Sequence, residues 1–134
     1  MRVSMKKCIK CGEQKPLSEF YKHQQTIDGF RGDCKPCNVI SVRDRRLKRI
    51  YGFNFETFSL MVEKQNHSCA ICFSKLDIGK NTHVDHDHKT GKVRAILCQN
   101  CNTALGSFKD SIDILKSAVK YLKKYNTKDG QKST

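Results

Sequence analysis

Residues 69–102 carry Cys69-Ala70-Ile71-Cys72 at one end and Cys98-Gln99-Asn100-Cys101-Asn102 at the other. Between them lies Thr82-His83-Val84-Asp85-His86-Asp87-His88-Lys89-Thr90-Gly91-Lys92-Val93-Arg94-Ala95-Ile96-Leu97. That inner run reads as strand, turn, strand: Lys89-Thr90-Gly91-Lys92 supplies the turn, and Val93 to Leu97 the second, partly buried strand. Cys98 to Asn102 then forms a knuckle and opens a short helix through Ala104 and Leu105 to Gly106. The expected product is a ββα unit whose ends are tied by one metal. The interval from Cys72 to Cys98 is longer than an ordinary zinc ribbon needs, so the insert has room for a second task.

The same cysteine grammar occurs upstream. Cysteines stand at 8, 11, 34, 37, 69, 72, 98 and 101, which is four Cys-x-x-Cys pairs with none left over. Disulfides do not persist in a reducing cytosol. Two thiolates per knuckle and two knuckles per ion is what tetrahedral zinc requires. The expectation is two structural Zn²⁺, one on Cys8, Cys11, Cys34 and Cys37 and one on Cys69, Cys72, Cys98 and Cys101. The chain has 134 residues and is only 37% hydrophobic, so it can bury a modest core and needs such staples. The first four cysteines frame a small finger with Phe20, Tyr21 and Phe30 as its core and Asp28-Gly29 as a turn.

Twenty-six Lys and Arg against 13 Asp and Glu leave a formal charge of +13. Solubility does not require such one-sidedness, and it points to a polyanionic partner, nucleic acid in particular. No apolar run reaches the length of a membrane span, and no basic amphipathic helix shows an aromatic apolar face. No secretory leader is visible at Met1. The expected setting is therefore the cytoplasm, without a membrane. Residues 38–51 are expected to be helical, from Asn38 as N-cap to Gly52 just past the end, with Ile40, Leu47, Ile50 and Tyr51 as the apolar stripe. Arg43, Arg45, Arg46, Lys48 and Arg49 on this helix are the expected phosphate contacts. A second helix is expected at 54–66, capped by Asn54, with Phe55, Phe58, Met61 and Val62 recurring at helical spacing. A third, at 111–125, carries Ile112, Leu115, Val119 and Leu122.

With the downstream zinc saturated by four thiolates, Asp85, His86, His88 and Asn102 remain for chemistry. A carboxylate and an amide oxygen are hard ligands suited to Mg²⁺ or Mn²⁺. A neighbouring imidazole can take a proton from water near neutral pH. Metal, base and basic surface together suggest phosphodiester hydrolysis. Adjacent residues of an unbroken strand point to opposite faces, so Asp85 and His86 can converge on one phosphate only through a bulge or a loop beginning there.

Taken together, Cys69-x-x-Cys72, Val84-Asp85-His86-Asp87-His88, Thr90-Gly91, Val93-Arg94, Leu97-Cys98-Gln99-Asn100-Cys101-Asn102 and Leu105-Gly106 resemble the recombination endonuclease VII family of HNH, or ββα-metal, nucleases. The resemblance covers roughly residues 50–110. It implies that Asp85 and Asn102 hold a catalytic divalent ion and that His86 activates water. His88 would orient the base or phosphate, and the products would carry 5′-phosphate and 3′-hydroxyl ends. Many HNH proteins use a later metal-binding histidine; none follows His88 here, which leaves Asn102 in that place. The upstream four-cysteine module is similar to the short fingers that precede nuclease domains in phage proteins.

The fold expected is thus small α+β and zinc-stapled. It divides into a finger at 1–38, a basic linker helix at 39–52, a nuclease domain at 53–125 and a polar tail at 126–134. The function expected is a metal-dependent DNA endonuclease. Its rivals are a zinc-finger protein that binds nucleic acid without cutting it and a zinc-stapled protein adaptor. The oligomeric state and the choice between nicking and double-strand cleavage stay open at this point.

Overall fold

The computed structural model describes residues 2–126. They form, in chain order, β1 (Met5–Lys7), β2 (Gln14–Pro16), β3 (Phe20–Lys22), β4 (Phe30–Cys34), α1 (Lys35–Tyr51), α2 (Phe55–Lys64), β5 (His83–His86), β6 (Val93–Leu97), α3 (Gln99–Ser107) and α4 (Ile112–Asn126). Among the described residues each strand pairs antiparallel with its sequence neighbour, giving three two-stranded hairpins. Such hairpins are marginal alone in water, and the cysteine groups sit where two of them meet a helix. The chain divides into two compact units between Glu63 and Lys64.

In the first unit Cys8, Phe20 and Cys34 are buried, with Phe30 and Cys37 packed against them. Tyr21, expected in this core, is 43% exposed, because alternation along β3 turns it away from the face that buries Phe20. Gly12 closes the first knuckle at φ 75°, a left-handed conformation that glycine adopts without Cβ strain.

Helix α1 begins earlier than its composition suggests. Its N-cap is Cys34, extended at φ −68° and ψ 161°, and Pro36 stands in the first turn, where its missing N–H is no loss and its fixed φ is already helical. Asn38 therefore lies inside the helix rather than capping it, and its amide donates to Asp33 Oδ2 (3.1 Å). The other end is as expected: Gly52 takes φ 76° and donates its N–H to Lys48 O. Of the anticipated stripe only Leu47 is buried, while Ile40 and Ile50 are 43% and 47% exposed. Asn54 caps α2 by accepting from the Thr57 N–H and hydroxyl (both 2.9 Å), and Phe58 and Val62 are buried.

The second unit is centred on β5 and β6, with Val84, Ile96, Leu97, Leu76, Cys69 and Cys98 buried. Gln65 completes the edge of β6. Its Oε1 accepts from Ile96 N (2.9 Å) and its Nε2 donates to Ile96 O (2.8 Å), so one side-chain amide satisfies both backbone groups as a neighbouring strand would. Helix α3 packs against β5. Helix α4 runs on to Asn126, one residue into the stretch expected as tail; 127–134 lie outside the described residues. No residue of α4 is buried; Ile112, Val119 and Leu122 are all more than half exposed. Among the described residues no helix is long and apolar enough to cross a membrane.

Candidate functional site

The eight cysteines gather into two groups of four, Cys8, Cys11, Cys34, Cys37 and Cys69, Cys72, Cys98, Cys101, each with its sulfur atoms within 4.8 Å of one another. With Zn–S bonds of about 2.3 Å, a tetrahedral site has a sulfur–sulfur edge of about 3.8 Å. Cys72 and Cys98 are 3.7 Å apart and Cys11 and Cys34 4.0 Å. The thiol sets therefore fit tetrahedral zinc. Among the described residues no third set of His, Cys, Asp or Glu side chains is arranged in this way.

Both groups are built alike. The first pair lies on a backbone turn, and the second is the opening turn of a helix: Cys34 caps α1 and Cys98 caps α3. The positive helix end favours thiolate. Burial resists ionisation of Cys8, but the backbone N–H groups of Cys11, Cys34 and Lys10 outweigh it and bring the thiol to about 6. The Ser74 hydroxyl and N–H, acting against burial, bring Cys72 to about 6 as well. Cys37 is pushed up to about 12 by its bond to Cys34 and by burial, and Cys101 to about 12 by burial and its neighbouring cysteines. Four crowded thiols cannot all ionise without a cation, so each group is poised to receive one.

Between the downstream knuckles, β5 pairs with β6 in the register His83↔Leu97, Val84↔Ile96, Asp85↔Ala95, and then shifts so that His86 faces Val93. The irregularity falls between Asp85 and His86, the position at which two adjacent side chains need to converge. Beyond it, Asp87 shapes the connection by accepting from Lys89 N (2.8 Å) and Thr90 N (2.9 Å) through Oδ1. Those two N–H groups, Thr90 first, hold its carboxyl below the usual range. Gly91 completes the turn at φ 71°.

Asp85 is buried, at 7% exposure. Both its oxygens are engaged by one guanidinium: Arg94 Nε reaches Oδ2 at 2.5 Å and Nη2 reaches Oδ1 at 2.9 Å. Arg94 also reaches Asp110 Oδ1 at 3.4 Å. His86 and His88 stand edge to face with ring centroids 4.9 Å apart, and His88 Nδ1 lies 3.2 Å from Asp110 Oδ2. Asn102 sits on α3, half-buried, one residue beyond the zinc-group Cys101. The structure thus brings His86 and His88 together and adds two residues that the sequence left without a role, Arg94 and Asp110. Arg94 lay inside a quoted motif; Asp110 carried no local signal.

On α1 the basic run divides by face. Arg43 lies over the Phe58 ring, 4.4 Å from its centroid, and is half-buried. Lys48 pairs with Asp44 at 2.7 Å. Arg45, Arg46 and Arg49 are exposed.

A ββα unit with a four-thiol group at its base and an acidic and histidine-rich strand end defines the class of site. The sequence matches the family described as recombination endonuclease VII over residues 44–124, more than half of the chain, and the protein belongs to that family. It is similar to the Gene 59 protein of Mycobacterium phage D29, 40% identical over 82 residues that make up 60% of this chain and 50% of that protein. The Gene 59 protein of Mycobacterium phage L5 is 39% identical over 80 residues, 59% of this chain and 49% of the relative. The chain thus spans about half the length of these curated relatives. A solved structure, the beta-beta-alpha-Me type II restriction endonuclease Hpy99I, aligns over 90% of this chain and 66% of its own with 30% identity and a TM-score of 0.40.

Proposed function

We propose that this chain is a metal-dependent DNA endonuclease of the HNH, or ββα-metal, type, hydrolysing phosphodiester bonds with His86 as general base. The observation that carries the reading is membership of the endonuclease VII family across the stretch that holds Asp85, His86, His88 and Asn102. The shift in register opposite Asp85 and His86, with Arg94 of β6 as the extra residue, supports it, since bulges re-aim the side chains beside them and are frequent next to active sites.

Asp85 and Asn102 would hold one divalent ion, Mg²⁺ or Mn²⁺, which fits because their donors are hard oxygens and Asp85 already attracts a cationic partner in Arg94. When bound, such an ion supplies Lewis-acid stabilisation of charge on the phosphate and leaving oxygen. His86 takes one proton from a water molecule whose oxygen forms the new bond to phosphorus. The bond from phosphorus to the 3′-oxygen breaks, that oxygen acquires a proton, and the ends are 5′-phosphate and 3′-hydroxyl. His88, in contact with His86, orients that ring. Arg45, Arg46 and Arg49 would bind duplex backbone, and the two thiol groups would hold structural zinc. Similarity to two mycobacteriophage proteins supports action inside an infected host cell.

The test is plasmid nicking by the zinc-loaded protein with Mg²⁺ or Mn²⁺, with EDTA, and with His86→Ala. Cleavage that needs the divalent ion and falls with His86→Ala supports the assignment. A gel shift without cleavage under any of these conditions would make the protein a nucleic-acid binder alone.

A further inference from the structure

Helix α3 ends in an unusual way. Lys109 and Asp110 both take left-handed backbone, at φ 55° and 52°, and Asp110 N donates to Leu105 O at 2.9 Å. The reversal leaves the Asp110 side chain four-fifths buried with its two oxygens directed to different partners. Oδ2 is 3.2 Å from His88 Nδ1 and Oδ1 is 3.4 Å from Arg94 Nη2. Arg94 in turn holds both oxygens of Asp85. One carboxylate therefore joins the histidine end of the site to its acidic end.

We propose that Asp110 is a positioning residue that sets the tautomer and orientation of His88 while keeping Arg94 against Asp85. The inference rests on the endonuclease reading above only for its kinetic consequence. A carboxylate accepts and does not donate, so its nearness to Nδ1 places a proton on that nitrogen. The neutral His88 ring then offers its lone pair at Nε2. A ring with the opposite tautomer would turn its Nδ1 lone pair towards the Asp110 carboxylate and carry its proton at Nε2 instead. Contacts of this kind, one step removed from the reacting groups, are typically worth about 10–100-fold. Asp110 also gives Arg94 Nη2 a second carboxylate oxygen, which fixes the guanidinium in the orientation that engages both oxygens of Asp85.

The test begins with the unmodified, zinc-loaded protein: heteronuclear NMR of the imidazole nitrogens should show His88 protonated at Nδ1 when neutral. Asp110→Asn is the informative variant, since Asn tolerates left-handed backbone as Asp does and changes the volume little. It should retain both zincs and its melting temperature, show His88 redistributed towards the Nε2-protonated form, and nick DNA about 10–100-fold more slowly in kcat with KM unchanged. In a His88→Ala background the same substitution should add little, because its main route of action is already removed. An Nε2-protonated His88 in the unmodified protein would overturn the proposal without recourse to any variant. So would an Asp110→Asn protein that nicks at the full rate, or one that loses zinc and unfolds, which would make Asp110 a structural strut. If the unmodified protein cleaves no DNA but Asp110→Asn still redistributes the His88 tautomer, the positioning role stands and the endonuclease reading fails.

Discussion

Arg94 grips Asp85 with both arms of its guanidinium, at 2.5 and 2.9 Å, from the β6 position between Val93 and Ala95 that the shift in register leaves without a partner on β5. The pair explains how a carboxylate survives at 7% exposure: its charge is met in the bidentate geometry that suits Arg and carboxylate best. Removing Arg94 leaves that charge buried and alone. Arg94→Ala should cost about 2 kcal/mol, below the 3–5 kcal/mol typical of fully buried pairs because the guanidinium is partly solvated. Under the endonuclease reading, Mn²⁺ should restore much of the loss by meeting the same carboxylate. Thermal melts of the zinc-loaded protein with and without Mn²⁺ check this; a failure of Mn²⁺ to raise the melting temperature of Arg94→Ala would remove Asp85 from the ion's ligands.

Elemental analysis should find two zincs per chain, and chelation should unfold it, because binding to such sites is largely folding free energy. The pH dependence follows from the thiols. Near neutrality Cys8 and Cys72 are already largely ionised at about 6, whereas Cys37 and Cys101, at about 12, still carry protons that zinc must expel. Affinity should therefore rise with pH, about tenfold per unit for each proton expelled. Below about pH 6 it should fall more steeply, as Cys8 and Cys72 also protonate. Competition with a chromophoric chelator at a series of pH values measures the slope, and a flat profile would mean the thiols bind no metal.

Cys101 and Asn102 are neighbours with different expected duties. Cys101→Ala should lose one zinc and melt the ββα unit. Asn102→Ala and His86→Ala should keep both zincs and the melting temperature while cleavage falls, by about 10²–10⁴-fold for the loss of the general base. Zinc content, melting and nicking rate, measured side by side, separate the two outcomes. Full-rate cleavage by His86→Ala would refute its role as base.

Phe73 occupies φ 62° immediately after Cys72, as Gly12 occupies φ 75° immediately after Cys11. The two knuckles turn alike, but only one has a residue suited to the turn. Phe73 is 77% exposed, so little packing is lost with its ring. Phe73→Gly should stabilise the zinc-loaded protein by about 1 kcal/mol. A calorimetric melting temperature at or below that of the unmodified protein would show that the ring makes a contact of greater worth than the strain.

The basic face of α1 should also divide in its energetics. Replacing Arg45, Arg46 and Arg49 together by Ala should weaken binding to all duplex sequences alike and lower the log–log salt slope by up to about 3 × 0.9. Arg43→Ala should change that slope little and destabilise the fold by about 1 kcal/mol, because its guanidinium stacks on Phe58. Fluorescence anisotropy across a salt series and a melt of each variant test both halves.

Much of this protein is legible from its chain because its decisive signals are local. Cys-x-x-Cys fixes the spacing of two thiolates on one turn whatever surrounds it, and four pairs leave little choice of grouping. The tension between neighbouring Asp85 and His86 is likewise a local matter of strand geometry; a shift in register does fall between them, but its extra residue is Arg94 on β6, which the chain alone did not indicate. Helix starts were harder to read: Cys34 as cap and Pro36 in the first turn outweigh the familiar signal of Asn38, because the knuckle itself sets the extended backbone from which α1 grows. The division of the basic run needed the tertiary structure, since Arg43 and Arg45 look alike until Phe58 is brought beneath one of them. Asp110 needed it most. Its partners His88 and Arg94 lie 22 and 16 residues away, and no periodicity or motif connects them. Only the folding of β5 and β6 against α3, with a left-handed reversal at the helix end, brings that carboxylate between the imidazole and the guanidinium.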